Sequence, residues 1–571
     1  MSWCELRSYG PCATPAVEYA HFKGKARRRA PDVRRQRRTM AAMSVAPPPL
    51  PTRRLEILAR LGRAQAFDIA VVGGGATGLG IALDAAQRGL RVVLVESHDF
   101  AKGTSSRSTK LVHGGVRYMA QGNVALVREA LHERRTLLDN APHIAQPLDF
   151  VVPAYRWWEK PFYGLGLKAY DQLAGAAGLG NTEFLTSAQA LNLVPAARTQ
   201  GLRGAVRYWD GQFNDARLAI AIARTAAQEG ALLVNYCRAE RLLYEGTKVA
   251  GLHCVDARTG QSYPIRSRCV VNATGVWVDA LRQSDSEHEA ATAFEPLVSP
   301  SQGVHLVVDQ AFLGGNTALM VPKTSDGRVL FAVPWLGKVI LGTTDTPRQD
   351  LPREPRALKA EVDFILREAG NYLRRAPTRA DVRSLWVGLR PLVKHHEAQD
   401  TKTLSREHTV AISPSGLVTV TGGKWTTYRV MAQDVLSACQ HAQLLAPLAP
   451  CQTQDARLLG AQKAQSGVTS LSAPEGMHSY GDEQAAVAAM PGAQRWISPG
   501  LSEAMVRFAV RYEYALTVED VLARRSRLLF LDAHEAAKAA SEVAEVMRQE
   551  HHQDPKVDEF AQLVTQFLAV P

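Results

Sequence analysis

The sequence predicts an α/β fold, and three observations lead to that class. From Phe67 onward an apolar strand, a glycine-rich turn, a helix and a second apolar strand follow in order, which is the pattern of a βαβ unit. Far downstream, Val270–Asn272 is another short apolar strand that ends at a glycine turn. Residues 304–345 alternate in character as antiparallel sheet does. Together these patterns predict a Rossmann-like parallel sheet beside an antiparallel one.

The glycine-rich turn predicts a dinucleotide site. It matches GxGxxG directly after a continuous apolar strand and at the start of a helix, whose free N–H groups attract phosphate. Its three motif glycines would allow the tight turn, the approach of a pyrophosphate and close helix packing. An acid at the end of the second strand would accept ribose hydroxyls and repel a 2′-phosphate, which favours FAD or NAD over NADP. The predicted contacts are Gly73, Gly74, Gly75, Ala76, Thr77, Gly78 and Glu96.

The downstream strand adds a second signal. It continues into Ala273, Thr274 and Gly275, and such an ending is typical of two-dinucleotide flavoproteins, in which this strand approaches the adenine half of the cofactor. After the first fingerprint, this pattern favours FAD over NAD.

Composition excludes several function classes. The chain has 571 residues and a net charge of +12, but residues 1–40 supply +7 of that charge, so the remainder is nearly balanced and a nucleic-acid-binding role is not expected. Seven scattered cysteines without CxxC spacing predict neither a metal site nor a disulfide framework, and they fit a reducing compartment. No apolar run approaches the roughly 20 residues of a membrane span.

The chain divides into four regions by composition and periodicity. Residues 1–55 are interpreted as a disordered basic tail or as sequence upstream of a start at Met40 or Met43. The alternative is a targeting segment or a lipid-binding arm. The regions are a basic extension (1–55), an oxidoreductase region (66–440), linker and loops (441–500) and a C-terminal helical domain (501–571). In the last region the pattern predicts helices over 502–530, 533–550 and 556–568, and Thr517–Asp520 resembles a capping arrangement at a helix start.

Longer motifs then become recognisable. The stretch TSSRSTKLVHGGVRY begins at Thr104, and FNDARL, GTTD, GLRPL, SREH and TGGKWTTYR follow in order. The tail Thr517–Asp532, TVEDVLARRSRLLFLD, completes the series. This set resembles the flavin-dependent glycerol-3-phosphate dehydrogenase family, within the glycine/D-amino-acid-oxidase-like flavoproteins. The resemblance covers about residues 67–568, and Trp425 departs from the leucine or methionine that the family often has there.

The resemblance implies a fold and a reaction. It implies an FAD-binding two-dinucleotide domain with an interleaved antiparallel-sheet substrate domain and a C-terminal helical domain. The reaction is oxidation of sn-glycerol 3-phosphate to dihydroxyacetone phosphate, with hydride passing from C2 to flavin N5 and electrons to a membrane quinone. The cofactor-binding segments would be about 66–150, 205–295 and 385–440, and the substrate-domain segments about 151–204 and 296–384.

The resemblance also implies site residues. Substrate phosphate would meet Arg117, Tyr118, Arg390, Arg406 and Lys424, since a dianion needs several positive donors. The catalytic candidates are Arg390, His305 and Lys424. The general base stays open between His305, water assisted by Arg390, and His113. Further cofactor contacts are expected from Ser105, Ser106, Lys110, His113, Gly114, Gly115, Gly422, Gly423, Lys424 and Thr426.

Partners and rivals follow from the same reading. Quinone reduction implies peripheral membrane contact, on the cytoplasmic face of an inner membrane or, if residues 1–40 are a transit segment, on the mitochondrial inner membrane. A homodimer is one possible assembly. The aromatic-basic stretch from Tyr155 to Lys168 is either an interfacial anchor or quinone mouth, or a buried aromatic cluster. The rival functions are an oxidase that uses oxygen and a redox-silent flavin-binding protein.

Overall fold

Two large sheets share the chain in a computed structural model that describes residues 49–64, 66–115, 123–288, 294–394, 408–462 and 467–571. Residues 50–571 form one compact unit. The strands in chain order are β1 (Phe67–Val72), β2 (Val92–Val95), β3 (Leu111–Val112), β4 (Ala145–Ala154), β5 (Glu183–Leu185), β6 (Gly204–Phe213), β7 (Leu232–Val234), β8 (Cys237–Glu245), β9 (Lys248–Asp256), β10 (Ser262–Asn272), β11 (Val298–Asp309), β12 (Ala318–Val321), β13 (Leu330–Trp335), β14 (Lys338–Gly342), β15 (Thr346–Pro347), β16 (Ser384–Val393), β17 (His408–Ile412), β18 (Val418–Gly422), β19 (Trp496–Ser498) and β20 (Leu501–Ser502).

Helices cover the faces of these sheets. In chain order they are α1 (Arg54–Arg63), α2 (Ala76–Gln87), α3 (Val124–Asn140), α4 (Glu159–Ala174), α5 (Ser187–Leu193), α6 (Asp215–Gln228), α7 (Val278–His288), α8 (Lys359–Gly370), α9 (Tyr428–His441), α10 (Gln484–Ala488), α11 (Glu503–Tyr512), α12 (Leu528–Leu531), α13 (Ala533–Glu550) and α14 (Val557–Leu568).

The first sheet contains the predicted βαβ unit, which is confirmed. Its path runs β17-β18-β10-β1-β2-β7, and the pairs from β18 to β7 are parallel. The hairpin of β8 and β9, which no sequence pattern indicated, extends β10. Helices α2, α6 and α9 pack their apolar sides on this sheet. The strand ends of a parallel sheet of this kind form one edge, and that edge carries the site described below.

The second sheet is largely antiparallel, as the alternation over residues 304–345 predicted. Its path runs β15-β11-β14-β13-β12-β4-β6-β3, with β16 beside β11 and β5 beside β6. Strands β4, β6 and β16 therefore belong to this sheet, although most of their residues fall in the predicted cofactor-binding segments. The reason is that their pairing partners are distant in sequence, and a local pattern does not reveal them. The domain boundaries themselves stay a prediction.

The C-terminal helices share a core with this second sheet. Trp335 and Trp386 of the sheet and Phe530 of α12 belong to one buried cluster. The ring centroids of Trp386 and Phe530 are 5.2 Å apart, and those of Phe530 and Phe567 are also 5.2 Å apart. The C-terminal region is therefore helical as predicted, but its core is continuous with that of the sheet.

One predicted helix is broken. The pattern over residues 502–530 predicted continuous helix, whereas α11 ends at Tyr512 and a π-helical turn occupies Asp520–Arg525 before α12. Tyr514 has φ +61°, which stops the helix. The capping arrangement predicted at Thr517 is present, because the Asp520 carboxylate accepts from the Thr517 N–H at 2.9 Å and the Thr517 hydroxyl accepts from the Asp520 N–H at 3.2 Å.

Candidate active site

A cavity of about 540 Å³ lies where β1, β2, β10 and β18 end. Its wall contains many of the residues predicted from sequence, brought together from three stretches of chain. The predicted residues that line it are Gly73, Gly75, Ala76, Thr77, Glu96, Ser105, His113, Ala273, Thr274, Gly275, His305, Arg390, Gly422, Gly423, Lys424 and Thr426.

The glycine turn is built as a cradle. Gly73 has φ +109°, and a Cβ there would lie 2.5 Å from the Ala273 carbonyl oxygen, so β10 approaches the turn directly. A Cβ on Gly78 would collide with the Gly73 carbonyl oxygen. Helix α2 starts at Ala76 with no side-chain cap, although the Ala76 N–H donates to Ser105 Oγ at 2.9 Å. The helix N-terminus therefore faces the cavity with its positive end.

Glu96 is fixed against this turn. Its carboxylate accepts from the Gly74 N–H at 2.7 Å and from the His98 N–H at 2.9 Å. The carboxylate also lines the cavity. The acid predicted at the end of β2 thus stands beside the turn, oriented by two backbone donors.

The turn after β18 closes the other side. Gly422 and Gly423 have φ +83° and +70°, and a Cβ on Gly423 would lie 2.8 Å from Met431 Cε. Trp425 Nε1 donates to the Ser105 carbonyl at 2.8 Å, and the His113 N–H donates to Thr426 Oγ1 at 3.3 Å. The sequence departure at Trp425 therefore fastens this turn to the 104–113 segment.

Two of the predicted cations, Arg390 and Lys424, stand in the cavity wall. Arg390 Nη1 lies 3.2 Å from Asp345 Oδ1, and its Nη2 donates to the Thr344 carbonyl at 2.9 Å and to Thr343 Oγ1 at 3.1 Å. These contacts orient the guanidinium. Lys424 lines the wall at the end of β18. The remaining predicted substrate residues, Arg117, Tyr118 and Arg406, lie outside the described residues.

His305 on β11 is buried in the same wall, with 2% of its surface exposed. Its Nε2 lies 2.9 Å from Thr109 Oγ1, and its ring stacks on Trp386 with centroids 5.2 Å apart. Burial, and then the positive charges of Lys110 and Arg390, hold the pKa of His305 well below its usual range. The imidazole is therefore neutral near pH 7.

Several predicted contacts lie elsewhere. Lys110 does not line the cavity: it is completely buried, and its Nζ bonds Asp215 Oδ2 at 2.7 Å and the Ser106 carbonyl at 2.8 Å. Burial lowers the pKa of Lys110 to about 7, although Asp215 opposes this. The Gly114 N–H donates to the Tyr170 hydroxyl at 2.8 Å. The cofactor contact predicted for Lys110 stays a prediction. The predicted residues outside the cavity wall also include Gly74, Gly78, Ser106, Gly114 and Gly115.

Other wall residues escaped the sequence analysis. Thr109 lies inside the recognised motif and could have been found there through its position between two predicted contacts. Lys102 and Arg353 also line the cavity, but no motif marks them. Trp277, two residues after the downstream glycine turn, forms part of the wall and donates from Nε1 to the Leu351 carbonyl at 3.1 Å.

The residues present fit a flavin dinucleotide. The glycine turn that lines the cavity at Gly73 and Gly75, the uncapped start of α2 and the carboxylate of Glu96 match the pyrophosphate and ribose of such a cofactor. Comparison with known families agrees. Residues 68–429 match the family described as FAD dependent oxidoreductase, and residues 451–557 match the C-terminal domain of alpha-glycerophosphate oxidase.

Relatives specify the family. A probable mitochondrial glycerol-3-phosphate dehydrogenase of Caenorhabditis elegans is 42% identical over 535 residues, covering 88% of this chain and 73% of that protein. The human mitochondrial glycerol-3-phosphate dehydrogenase is 40% identical over 554 residues, covering 91% and 75%. The chain belongs to the FAD-dependent glycerol-3-phosphate dehydrogenase family. The resemblance read from the sequence is therefore confirmed.

A solved structure supports the same assignment. The glycerol-3-phosphate dehydrogenase of Bacillus halodurans complexed with FAD is 29% identical, with a TM-score of 0.71, and the match covers 90% of this chain and 98% of that one. The predicted fold class and the predicted FAD cofactor are confirmed, and the chain is an FAD-dependent glycerol-3-phosphate dehydrogenase. The roles of individual residues, the electron acceptor and the membrane contact are taken up below as proposals.

Proposed function

We propose that the chain oxidises sn-glycerol 3-phosphate to dihydroxyacetone phosphate in this cavity and passes the electrons to a membrane quinone. One observation carries the proposal: the wall that holds the glycine cradle also holds Arg390, Lys424 and His305. A cofactor site, cations for a phosphorylated substrate and a neutral imidazole thus meet in a single space. The names of the relatives point to the same substrate.

FAD would be held along the strand ends. The start of α2 would face its pyrophosphate, Glu96 would accept ribose hydroxyls, and the turn Gly422–Thr426 would lie against its ring system. When bound, FAD supplies the hydride acceptor for C2 of the substrate. The helix start that follows Gly423, together with the ammonium of Lys424, would place positive charge beside that ring.

Arg390 would bind and orient the substrate. Its guanidinium is held by Asp345 and the Thr344 carbonyl, so little side-chain freedom is lost when an anion binds. A second cation at Lys424 adds attraction for a dianion. The predictions that Arg117, Tyr118 and Arg406 complete the phosphate site stay proposals.

His305 is the base that the geometry favours over His113. It must be neutral to take the proton of the C2 hydroxyl, and its depressed pKa keeps it so. Thr109 holds its Nε2, which fixes the ring in the wall. Arg390 would stabilise negative charge that develops on the C2 oxygen. A bound dianion would partly cancel the nearby positive charges and so strengthen His305 as a base.

A surface on α4 supports membrane contact. Four apolar side chains at the start of α4, here called the α4 aromatic face, are exposed: Trp157 (78%) and Trp158 (38%) just before the helix, and Phe162 (66%) and Leu165 (74%) in it. The alternative of a buried cluster is wrong for these four side chains. Lys160 and Lys168 flank the face, and such a mixture suits the interface of a bilayer with anionic lipid.

Within the described residues, every helix is too short or too polar to cross a bilayer. The compartment stays a prediction, and the relatives named mitochondrial favour the mitochondrial inner membrane.

Substrate reduction of the flavin tests the site. We expect glycerol 3-phosphate to bleach the flavin absorption of the wild-type enzyme under anaerobic conditions. In Arg390→Ala and in Lys424→Ala the bleaching should slow by orders of magnitude while FAD stays bound. Lys359→Ala, which removes an exposed lysine of α8, is the matched control. Wild-type bleaching rates in both cavity variants would contradict the site.

The acceptor is tested separately. Anaerobic turnover with ubiquinone should exceed turnover with oxygen alone, and stoichiometric peroxide from fast oxygen turnover would indicate the oxidase instead.

Liposome flotation tests the membrane contact. Replacing Trp157, Phe162 and Leu165 with serine should weaken flotation with anionic liposomes and leave turnover with a soluble dye unchanged. Trp496→Ser, at a site 52% exposed and outside the α4 aromatic face, is the control. Equal flotation of all variants would exclude this face as the membrane contact.

A further inference from the structure

Residues 348–356, here called the 348–356 strap, leave the antiparallel sheet after β15 and lead to α8. The strap does not simply join these elements on the outside. Arg353 on it lines the cavity together with Glu96, which follows β2, and Trp277, which lies beyond the end of β10. A segment that leaves the antiparallel sheet thus closes part of the cavity beside the ends of β2 and β10.

Polar contacts fasten the strap on both sides of Arg353. On one side the Leu351 carbonyl accepts from Trp277 Nε1 at 3.1 Å. On the other, Glu354 Oε2 accepts from Arg107 Nη2 at 2.5 Å, and Glu354 Oε1 lies 3.7 Å from Lys102 Nζ. Both cations belong to the segment that follows β2. The strap is therefore tied to the cofactor edge of the first sheet.

Arg353 itself is placed to bind a ligand. Its guanidinium carbon lies 4.0 Å from the centre of the Trp277 ring, so the stack orients the planar group. Within the described part of the chain, no acceptor forms a hydrogen bond or ion pair with this guanidinium. By contrast, Arg348 on the same strap is paired with Asp350 at 2.7 Å. An oriented guanidinium in a cavity wall, with its donors unused by the protein, suits an anionic ligand.

The neighbourhood indicates which part of the cofactor this ligand is. The carboxylate of Glu96, which is expected at the ribose, lies near Arg353. Burial lowers the pKa of Arg353, and the negative charge of Glu96 opposes that change. The cradle of α2, expected at the pyrophosphate, adjoins Glu96 through Gly74. We propose that Arg353 is a cofactor-binding residue carried on a strap that closes over the ADP half of FAD. This inference rests on the proposed placement of FAD along the strand ends.

The proposal has a consequence for cofactor exchange. FAD could leave only when the strap lifts, and lifting requires Glu354 to separate from Arg107 and Lys102. Loss of the Arg353 side chain should remove a charge-assisted contact, and loss of the Glu354 charge should loosen the fastening. Both changes should speed the release of FAD and leave the substrate cations where they are.

Release of FAD from the purified holoenzyme tests this, followed by the fluorescence that free FAD regains after dilution. Arg353→Gln is expected to release FAD about tenfold to a hundredfold faster than wild type, which corresponds to the loss of a hydrogen bond to a charged group. Glu354→Gln should also release it faster. Arg353→Lys should be intermediate, because it keeps the charge and loses the planar stack. Arg348→Gln, on the same strap but paired outside the cavity, should match wild type.

Wild-type release rates in Arg353→Gln and Glu354→Gln would overturn the proposal. So would equal acceleration by Arg348→Gln, since that would indicate general loosening of the strap. The KM for glycerol 3-phosphate should not change in Arg353→Gln, and a rise would place Arg353 at the substrate instead. Gly75→Ala tests the placement of FAD separately from the role of the strap. If this variant leaves FAD release unchanged, the proposed placement of the cofactor itself is wrong.

Discussion

Alanine at Gly75 should weaken FAD binding and alanine at Gly78 should lower stability, although the two glycines belong to one turn. Gly75 has φ −83° and ψ −175°, an extended conformation that alanine adopts freely, and its Cβ would lie 3.1 Å from Ser105 Oγ. A serine side chain can shift by the few tenths of an ångström required. At Gly78 the obstacle is the Gly73 carbonyl oxygen, which is backbone and cannot move without opening the turn.

The magnitudes follow from these contacts. Gly75→Ala should change the free energy of unfolding by no more than about 1 kcal/mol, because the gain from a stiffer unfolded chain offsets the tight contact. Its methyl group would nevertheless stand where the pyrophosphate approaches α2. Losing one charge-assisted N–H contact there costs about 1.5–3 kcal/mol and would weaken FAD binding about tenfold to a hundredfold. Gly78→Ala should lower the free energy of unfolding by about 3 kcal/mol or more, as overpacking against backbone does.

Two measurements on the same preparations separate the effects. Chemical denaturation followed by far-ultraviolet circular dichroism gives stability, and FAD release followed by fluorescence gives cofactor retention. Gly166→Ala, in α4 with no neighbouring atom within 4 Å of its added Cβ, is the control for the substitution itself. If Gly75→Ala retained FAD like wild type, or if Gly78→Ala were as stable as wild type, the reading of the turn would be refuted.

Two further predictions concern buried charges. His305 must be neutral to act as a base, and burial with nearby cations lowers its pKa, so the acid limb of kcat/KM should lie below pH 6.5. His305→Gln should cut kcat about 10²- to 10⁴-fold. An acid limb above pH 7 in the wild type would contradict this role. Asp99 is fully buried and accepts hydrogen bonds from Arg524 Nε at 2.5 Å and from Arg525 Nη2 at 2.9 Å. Asp99→Asn should therefore lower the free energy of unfolding, measured by chemical denaturation, by about 3–5 kcal/mol. Asp350→Asn, at an exposed ion pair, is the control and should have little effect.

Much of the cofactor edge was predictable from sequence because it is local. The strand, turn and helix around Gly73–Gly78 lie within one βαβ unit, and Glu96 follows at the next strand end. Each of these residues has its role set by neighbours a few positions away. The resemblance then supplied Arg390, His305 and Lys424, which sit far apart in the chain and meet only in the folded cavity.

The features that the sequence did not reveal share a physical cause. Lys110 lies in a cationic motif, and only the fold shows that Asp215 and a cage of aromatic rings enclose it. Arg353 gave no signal because its partner Trp277 is distant in sequence, and the stack depends on how the strap crosses between sheets. The break after Tyr512 escaped for a similar reason, since the apolar pattern continues through a turn that tertiary packing imposes.

The merged core of the C-terminal helices and the second sheet limits how this enzyme can be shortened. A fragment that ends near residue 500 would lack Phe530 and the C-terminal helices that pack on Trp335 and Trp386. It would therefore expose a large apolar surface to water. Such a fragment should precipitate when produced on its own. Expression of the catalytic half therefore calls for co-production of the missing helices, or for redesign of the uncovered side chains.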